Sequence, residues 1–203
     1  MADDAPAFVD LHAAARAGDL EALGARVAAG DDVDGRDKHK RTALHMAAWA
    51  GQTDAVKFLV ASGAKVGAEA MDGITPLHFA CQKAHLETAR ALVAAGANPK
   101  GLTHKGENAL HMAARGGSLE VVQAVLRRKV DPLHKNKRGE RASDVARGDA
   151  KDAIREALVA AEEEKTAHLE ATAEGRAAVA EEAPSIGPSI GPSIGPSIGP
   201  SIG

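Results

Sequence analysis

The sequence predicts an all-α fold, a solenoid of helix-turn-helix units with short connecting β-hairpin loops. Three observations predict it: similar segments recur every 33 residues, glycines recur at fixed places within them, and the composition suits closely packed helices. Of 203 residues, 44% are hydrophobic but only 2% are aromatic. Such a core must be built from Ala, Leu and Val, which favours packed helices over a β-sandwich.

The repeated segments share one register. RTALHMAAWAG begins at Arg41, ITPLHFACQKA at Ile74 and ENALHMAARGG at Glu107. One period earlier, VDLHAAARAGD begins at Val9, and one period later RASDVARGDAK begins at Arg141. Five units therefore follow one another without an insertion, which is the signature of a repeat architecture.

Each repeat has the same predicted anatomy. A first helix rich in small residues begins near Thr42, Thr75 or Asn108, and a second helix carries apolar residues at helical spacing. Small residues mark the boundaries: the inter-helix turn at Gly18, Gly51, Ala84 and Gly117; the end of the second helix at Gly30, Gly63 and Gly96; the loop at Gly73, Gly106 and Gly139. Lys40 and Lys129 replace two of the expected glycines, and left-handed geometry there costs on the order of 1 kcal/mol.

These motifs resemble the ankyrin family over residues 8–160. Residues 75–78 read Thr-Pro-Leu-His and match the family's helix start fully, whereas the segments from Thr42 and from Asn108 match it in part. Residues 84–87 and 117–120 match most of the family's turn. The resemblance implies L-shaped units, each with two antiparallel helices and a projecting hairpin, stacked side by side.

The predicted organisation follows from this register. We expect an N-terminal capping repeat over 1–36, internal repeats over 37–69, 70–102 and 103–135, a C-terminal capping repeat over 136–160, an acidic Ala/Glu-rich helical extension over 161–183, and a disordered tail of five PSIG copies over 184–203. The tail is either an inert expanded repeat or a recognition tag. In the last unit, Asp144 replaces the recurrent His.

Charge and composition exclude several classes. Residues 37–149 carry a net charge of +7 between two ends of net −5 each. We expect no signal peptide because the N-terminus is acidic and lacks an apolar run, and no membrane span because no apolar run is long enough. The expected location is the cytosol, with the nucleus as an alternative.

No residue pattern points to catalysis, a cofactor or a metal. His12, His45, His78 and His111 recur once per repeat, and the resemblance implies that each one holds its own loop rather than sharing a metal ion with its neighbours. Cys81 occupies the second Ala position of a first helix, so we interpret it as a packing residue. We therefore predict that the chain is not an enzyme.

The resemblance implies a concave face, formed by the loop tips and the exposed side of each first helix, that contacts protein partners. We define the concave face by these two kinds of position. The predicted tip contacts are Lys38, His39, Arg41, Met71, Asp72, Ile74, His104, Lys105, Glu107, Lys137, Arg138 and Glu140, and the predicted helix contacts are Trp49, Gln82, Lys83 and Arg115. Trp49 is the sole Trp, and tryptophan is frequent among binding hot spots.

The predicted function is a monomeric protein–protein interaction module, an adaptor or inhibitor, whose basic rim suits an acidic partner. One alternative is a regulatory or assembly-chaperone subunit of a larger complex. Nucleic acid is a weaker alternative because only Trp49 could stack on bases. The acidic stretch over 150–183 is either a solvated helix or a competitor that folds back on the basic face.

Overall fold

A computed structural model describes residues 10–181, with side chains described for residues 10–172. The PSIG tail and the first nine residues lie outside this range, so the predictions made for them stay predictions. The chain divides into two compact units, one ending at Thr166 and one beginning at Ala167. The described residues of the second unit belong to the C-terminal part of one long helix.

The regular secondary structure between residues 10 and 181 is helical, with no β-strand in that range, which confirms the all-α prediction. Its α-helices are α1 Leu11–Ala17, α2 Leu20–Ala28, α3 Ala43–Ala50, α4 Thr53–Ala61, α5 Pro76–Gln82, α6 Leu86–Ala94, α7 Ala109–Gly116, α8 Leu119–Leu126 and α9 Lys151–Glu181. The expected hairpins are tight turns: Ala70, for example, donates its N–H to the carbonyl of Ile74 at 2.8 Å.

The helices pack in two layers. The first helices α1, α3, α5 and α7 contact one another in chain order, and the second helices α2, α4, α6 and α8 form a parallel row. Each first helix contributes one fully buried leucine, such as Leu44 or Leu110, and each second helix of the first three units does likewise, such as Leu59. Fully buried alanines such as Ala47 separate neighbouring first helices, so these helices approach closely.

The recurrent histidines brace the loops, as the resemblance implies. The backbone N–H of Thr42 donates to Nδ1 of His45 at 3.1 Å, so Nδ1 is the acceptor and Nε2–H donates to the carbonyl of Ile74 at 3.1 Å. Burial lowers the pKa of His45 to about 4, which keeps the ring neutral. His78 repeats the bond to its threonine, with Thr75 donating at 3.2 Å.

The fifth unit lacks a regular first helix. Residues 142–145 form turns, beside which Arg141 donates its backbone N–H to the carboxylate of Asp144 and Ser143 donates its hydroxyl to Glu162. Arg147 nevertheless donates its backbone N–H to the carbonyl of Ala114 at 3.0 Å, which keeps the unit bonded to α7.

Helix α9 continues from the repeats, as the sequence predicts for the final repeat helix. Ile154 and Leu158 are fully buried, and Glu162 is 7% exposed while it accepts hydrogen bonds from Arg141 at 2.6 Å and Ser143 at 2.7 Å. Lys165 forms an ion pair with Asp131 at 2.7 Å. The side chains of residues 166–172 are exposed, so packing ends near the position of Lys165.

Candidate protein-binding face

The loop tips of the repeats form a ladder of backbone hydrogen bonds. Met71 donates its N–H to the carbonyl of His39 at 3.1 Å, and His104 donates to Asp72 at 2.7 Å. Lys137 donates to Lys105 at 2.9 Å, which joins the last two tips. Each tip is therefore fixed against the preceding one, so side chains predicted to contact a partner project from a preorganised edge.

The predicted contacts differ in exposure. Ten are exposed, five are half-buried (Arg41, Ile74, Gln82, Arg115 and Glu140), and one, Glu107, is buried. The exposed ones are Lys38, His39, Trp49, Met71, Asp72, Lys83, His104, Lys105, Lys137 and Arg138. Most of the predicted face is thus accessible, but its acidic residues at the last two tips are partly or wholly withdrawn from solvent.

Trp49 lies on α3 with its indole 37% exposed. The guanidinium carbon of Arg16 lies 5.5 Å from the indole ring centroid, and Nζ of Lys83 lies 4.9 Å from it. Both distances are within the range of cation–π attraction. The ring is therefore held between cations of the preceding and following first helices and still presents more than a third of its surface to solvent.

Met71 and Ile74 line a groove between the loop tips of the second and third units, with a volume of about 350 Å³. We call it the apolar tip groove; its lining consists of His39, Arg41, Ala70, Met71, Asp72, Ile74 and Phe79. Met71 is 52% exposed, and Phe79 provides an aromatic wall. Trp49 does not line this groove, so the indole and the apolar groove are separate features of the face.

A second concavity, of about 410 Å³, lies between the loop tips of the fourth and fifth units. We call it the basic tip pocket; its lining consists of His104, Lys105, Glu107, Arg115, Asn136, Lys137, Arg138 and Arg147. Five of these side chains are cationic and only Glu107 is anionic. The pocket is therefore more strongly basic than the apolar tip groove.

Two predicted contacts also hold the structure together. Glu107 is 4% exposed and forms an ion pair with Arg115, whose Nη1 also donates to Oε2 of Glu107 at 3.2 Å. Burial acts to raise the pKa of Glu107, but the hydrogen bond and charge of Arg115 lower it below its usual value. The carboxylate of Glu140 accepts from Nδ2 of Asn136 at 2.9 Å, which closes its own tip. The interpretation of Glu107 as a surface contact is wrong, because its charge is buried against Arg115.

Sequence reasoning missed four side chains of this face: Arg16, Phe79, Asn136 and Arg147. Arg16 stands one 33-residue period before Trp49, so the register itself could have identified it. Arg147 occupies the register position of Ala114, which is buried. It is exposed in the fifth unit, where residues 142–145 form turns instead of a first helix, and no motif in the sequence announces that change.

Chemistry other than binding has little support in the described residues. Cys81 is fully buried, and burial raises the pKa of its thiol to about 12, as expected for a packing residue. Over residues 10–172, no three His, Cys, Asp or Glu side chains come together as a metal site would require. Within the described helices, none is both long and apolar enough to cross a membrane.

Comparison with known proteins agrees with the architecture. A family model described as ankyrin repeats, in three copies, matches residues 10–70 and 64–136. These matches cover more than half of the chain, so the protein belongs to the ankyrin-repeat family. No match was found to a curated protein. Ankyrin repeats are in general protein–protein interaction modules, which identifies the class of function without identifying the partner.

Proposed function

We propose that the protein is a non-catalytic adaptor or inhibitor that binds a partner protein on its concave face, with Trp49 as the central contact. The observation that carries the proposal is the exposed indole held between Arg16 and Lys83. A buried Trp would serve packing, whereas a partly exposed and fixed Trp loses little conformational entropy when a partner covers it.

The surroundings of Trp49 support an acidic partner. Lys83 and Arg16 lie beside the indole, and the basic tip pocket extends the positive potential toward the last repeat. The apolar tip groove offers a receptor for an aliphatic side chain next to His39 and Arg41. A partner segment with apolar residues flanked by carboxylates satisfies all three features, since the centre would be desolvated and the rim would stay charged.

Position-specific photo-cross-linking tests this proposal. A benzoylphenylalanine placed at Trp49 is expected to capture a discrete partner in cells, and one at Lys83 is expected to capture the same partner. The control is the same amino acid at Leu20, which is 44% exposed on the second helix α2. Capture of the same partner with equal yield from Leu20 would contradict binding through the concave face.

Size-exclusion chromatography of native lysate separates the adaptor from the alternative, a subunit of a larger assembly. An adaptor or inhibitor is expected to elute in small complexes whose size changes with the amount of partner. Constant elution in one large complex would favour the assembly subunit instead.

A further inference from the structure

The basic tip pocket contains more positive charge than its internal ion pairs neutralise. Of its five cationic side chains, Arg115 is paired with the buried carboxylate of Glu107. Within residues 10–172, ion pairs are formed by none of Lys105, Lys137, Arg138 and Arg147. All four are also exposed, and they line one concavity without an ion-pair partner.

The lining itself contains little negative charge. Glu107 is the only acidic residue in the lining, and Arg115 already compensates it. Glu140, at the adjacent tip, directs one carboxylate oxygen to Nδ2 of Asn136. The lining therefore has a formal net charge of about +4 with His104 neutral, in a volume of about 410 Å³.

The backbone fixes the pocket. Lys137 donates its N–H to Lys105, and Asn136 Oδ1 accepts the N–H groups of Arg138 at 2.9 Å and Glu140 at 3.0 Å. Arg147 is bonded through its N–H to Ala114. Four cationic residues thus rise from fixed backbone, so a ligand would not have to order the loops when it binds.

A single carboxylate would neutralise only a quarter of the unpaired charge. A phosphate monoester carries a charge of about −1.5 to −2 at neutral pH and offers three acceptor oxygens. Arg138 and Arg147 each present a planar fork that can donate two parallel hydrogen bonds to such a group. The lining contains no Trp, Phe or Tyr on which a nucleic-acid base could stack.

We propose that the basic tip pocket binds a phosphorylated side chain of a partner protein, which makes partner binding dependent on phosphorylation. This proposal deepens the proposed function and rests on it for the identity of the partner as a protein. The phosphate would lie between Arg138 and Arg147, with Lys105 and Lys137 at its rim.

Titration with matched synthetic peptides tests the pocket directly. The probes are three peptides that are uncharged except at one central residue, which is phosphoserine, serine or glutamate. Using the full chain labelled with ¹⁵N, we expect the phosphoserine peptide to shift the amide signals of Gly106 and Gly139 and to bind about tenfold more tightly than the glutamate peptide. Equal binding of both acidic peptides, or no shift at the solubility limit, would overturn the proposal.

Matched variants locate the binding. The change Arg138→Gln with Arg147→Gln is expected to weaken the phosphoserine peptide about tenfold or more. Arg127→Gln with Arg128→Gln removes the same charge from exposed positions after α8 and is expected to have less than about a twofold effect. Equal weakening by both pairs would mean attraction to overall charge and would overturn the assigned pocket.

Two further probes separate the possible failures. Leu20→Ala, at an exposed position of α2 outside the concave face, is expected to leave phosphoserine-peptide binding unchanged. If partner protein is captured at Trp49 but the peptide does not bind, the proposed function stands and the phosphate site fails. Tighter binding of a single-stranded oligouridylate than of the phosphoserine peptide would identify a nucleic-acid site and would also overturn the proposal.

Discussion

Nε2 of His85 lies 3.2 Å from the carbonyl oxygen of Trp49, and the same imidazole covers Gly51. Since a carbonyl only accepts, Nε2 of His85 donates this hydrogen bond. A Cβ on Gly51 would lie 2.7 Å from Nδ1 of His85, closer than real Cβ contacts. The turn of the third unit therefore holds the end of α3, where the candidate binding residue Trp49 stands.

Gly51→Ala should cost more stability than the same change at Gly63. Both glycines have left-handed φ values, +76° and +90°, but a Cβ on Gly63 meets nothing within 4 Å. We expect Gly63→Ala to lower the free energy of unfolding by about 1 kcal/mol and Gly51→Ala by about 2 kcal/mol or more. Urea denaturation measures both.

The extra cost at Gly51 should disappear when His85 is removed. In the His85→Ala background, Gly51→Ala and Gly63→Ala are expected to cost the same within about 0.5 kcal/mol. A persistent difference between the two glycines would mean that the imidazole is not the group that a Cβ meets.

Acidification should destabilise the repeats through their buried histidines. Burial lowers the pKa of His45 to about 4 from an ordinary value of 6.5, and burial also lowers the pKa values of His78 and His111. The unfolded chain therefore binds protons before the folded one does, so stability is complete above pH 6.5 and falls as the pH drops toward 4. His45 alone should remove about 2 kcal/mol between pH 7 and pH 5.

Urea titrations at pH 7 and pH 5 check this window, with His45→Gln as the comparison. The variant starts from lower stability at pH 7 because it loses a bond to the loop, but its further loss at pH 5 should be about 2 kcal/mol smaller than that of the unchanged chain. The same pH dependence in both proteins would show that His45 does not titrate in this range.

Lys129→Gly should stabilise the protein. Lys129 is exposed with φ +55°, at the place where the first three second helices are followed by Gly30, Gly63 and Gly96. Glycine accepts left-handed geometry without the Cβ penalty, so we expect the free energy of unfolding to rise by about 1 kcal/mol. Thermal denaturation of the variant measures this change.

The neighbouring change Arg128→Gly serves as the control. Arg128 is exposed and is not among the described residues with positive φ, so glycine there only adds freedom to the unfolded chain. We expect it to destabilise by about 0.5–1 kcal/mol. Destabilisation by both changes would contradict strain at Lys129.

Glu162 should anchor the start of the long helix. Its carboxylate is 7% exposed and accepts from Arg141 and Ser143. Glu162→Gln is expected to cost about 1–3 kcal/mol, since one member of a buried charge pair is lost, while Glu163→Gln at the exposed neighbour should stay within about 0.5 kcal/mol. Equal effects in urea denaturation would rule out the anchor.

Anchoring at Glu162 also determines where the acidic extension can be cut. Truncation after residue 160 would leave Arg141 without its partner, whereas truncation after Thr166 preserves the contacts of Glu162 and Lys165. Fold-back competition for the concave face stays a hypothesis beside the simpler solvated helix. Tighter partner binding after truncation at Thr166 would support competition, and unchanged affinity would exclude it.

The periodic features of this fold were predictable, because each repeat meets the same physical requirement. The register predicted left-handed geometry at Lys129, and its φ is +55°. It also predicted burial of Cys81 at an Ala position. These conclusions depend on local backbone geometry and on the spacing between units, which a 33-residue period encodes directly.

Features that depend on pairing between units were not predictable. Glu107 and Arg115 are eight residues apart, and nothing local shows that their side chains meet in the interior. Arg147 is exposed in the fifth unit, where Ser143 bonds to Glu162, 19 residues away, and no regular first helix forms. Arg115 and Arg147 both line the basic tip pocket.

Arg115→Glu, which the sequence suggests as a probe of binding, is a poor choice because it would place two carboxylates together at Glu107. Lys83→Glu is cleaner, since Lys83 is exposed and contacts only the indole of Trp49 among the described interactions. It should weaken an acidic partner while stability changes by less than about 1 kcal/mol.

Quantitative affinity purification of the unchanged chain, Trp49→Ala and Leu20→Ala tests the concave-face interface most directly. Both variants remove an exposed apolar side chain, at 37% and 44% exposure, so stability should change little and to a similar extent. We expect Trp49→Ala to reduce recovery of a specific partner about tenfold or more, and Leu20→Ala to leave recovery unchanged. Undiminished recovery of every partner with Trp49→Ala would contradict binding through the concave face.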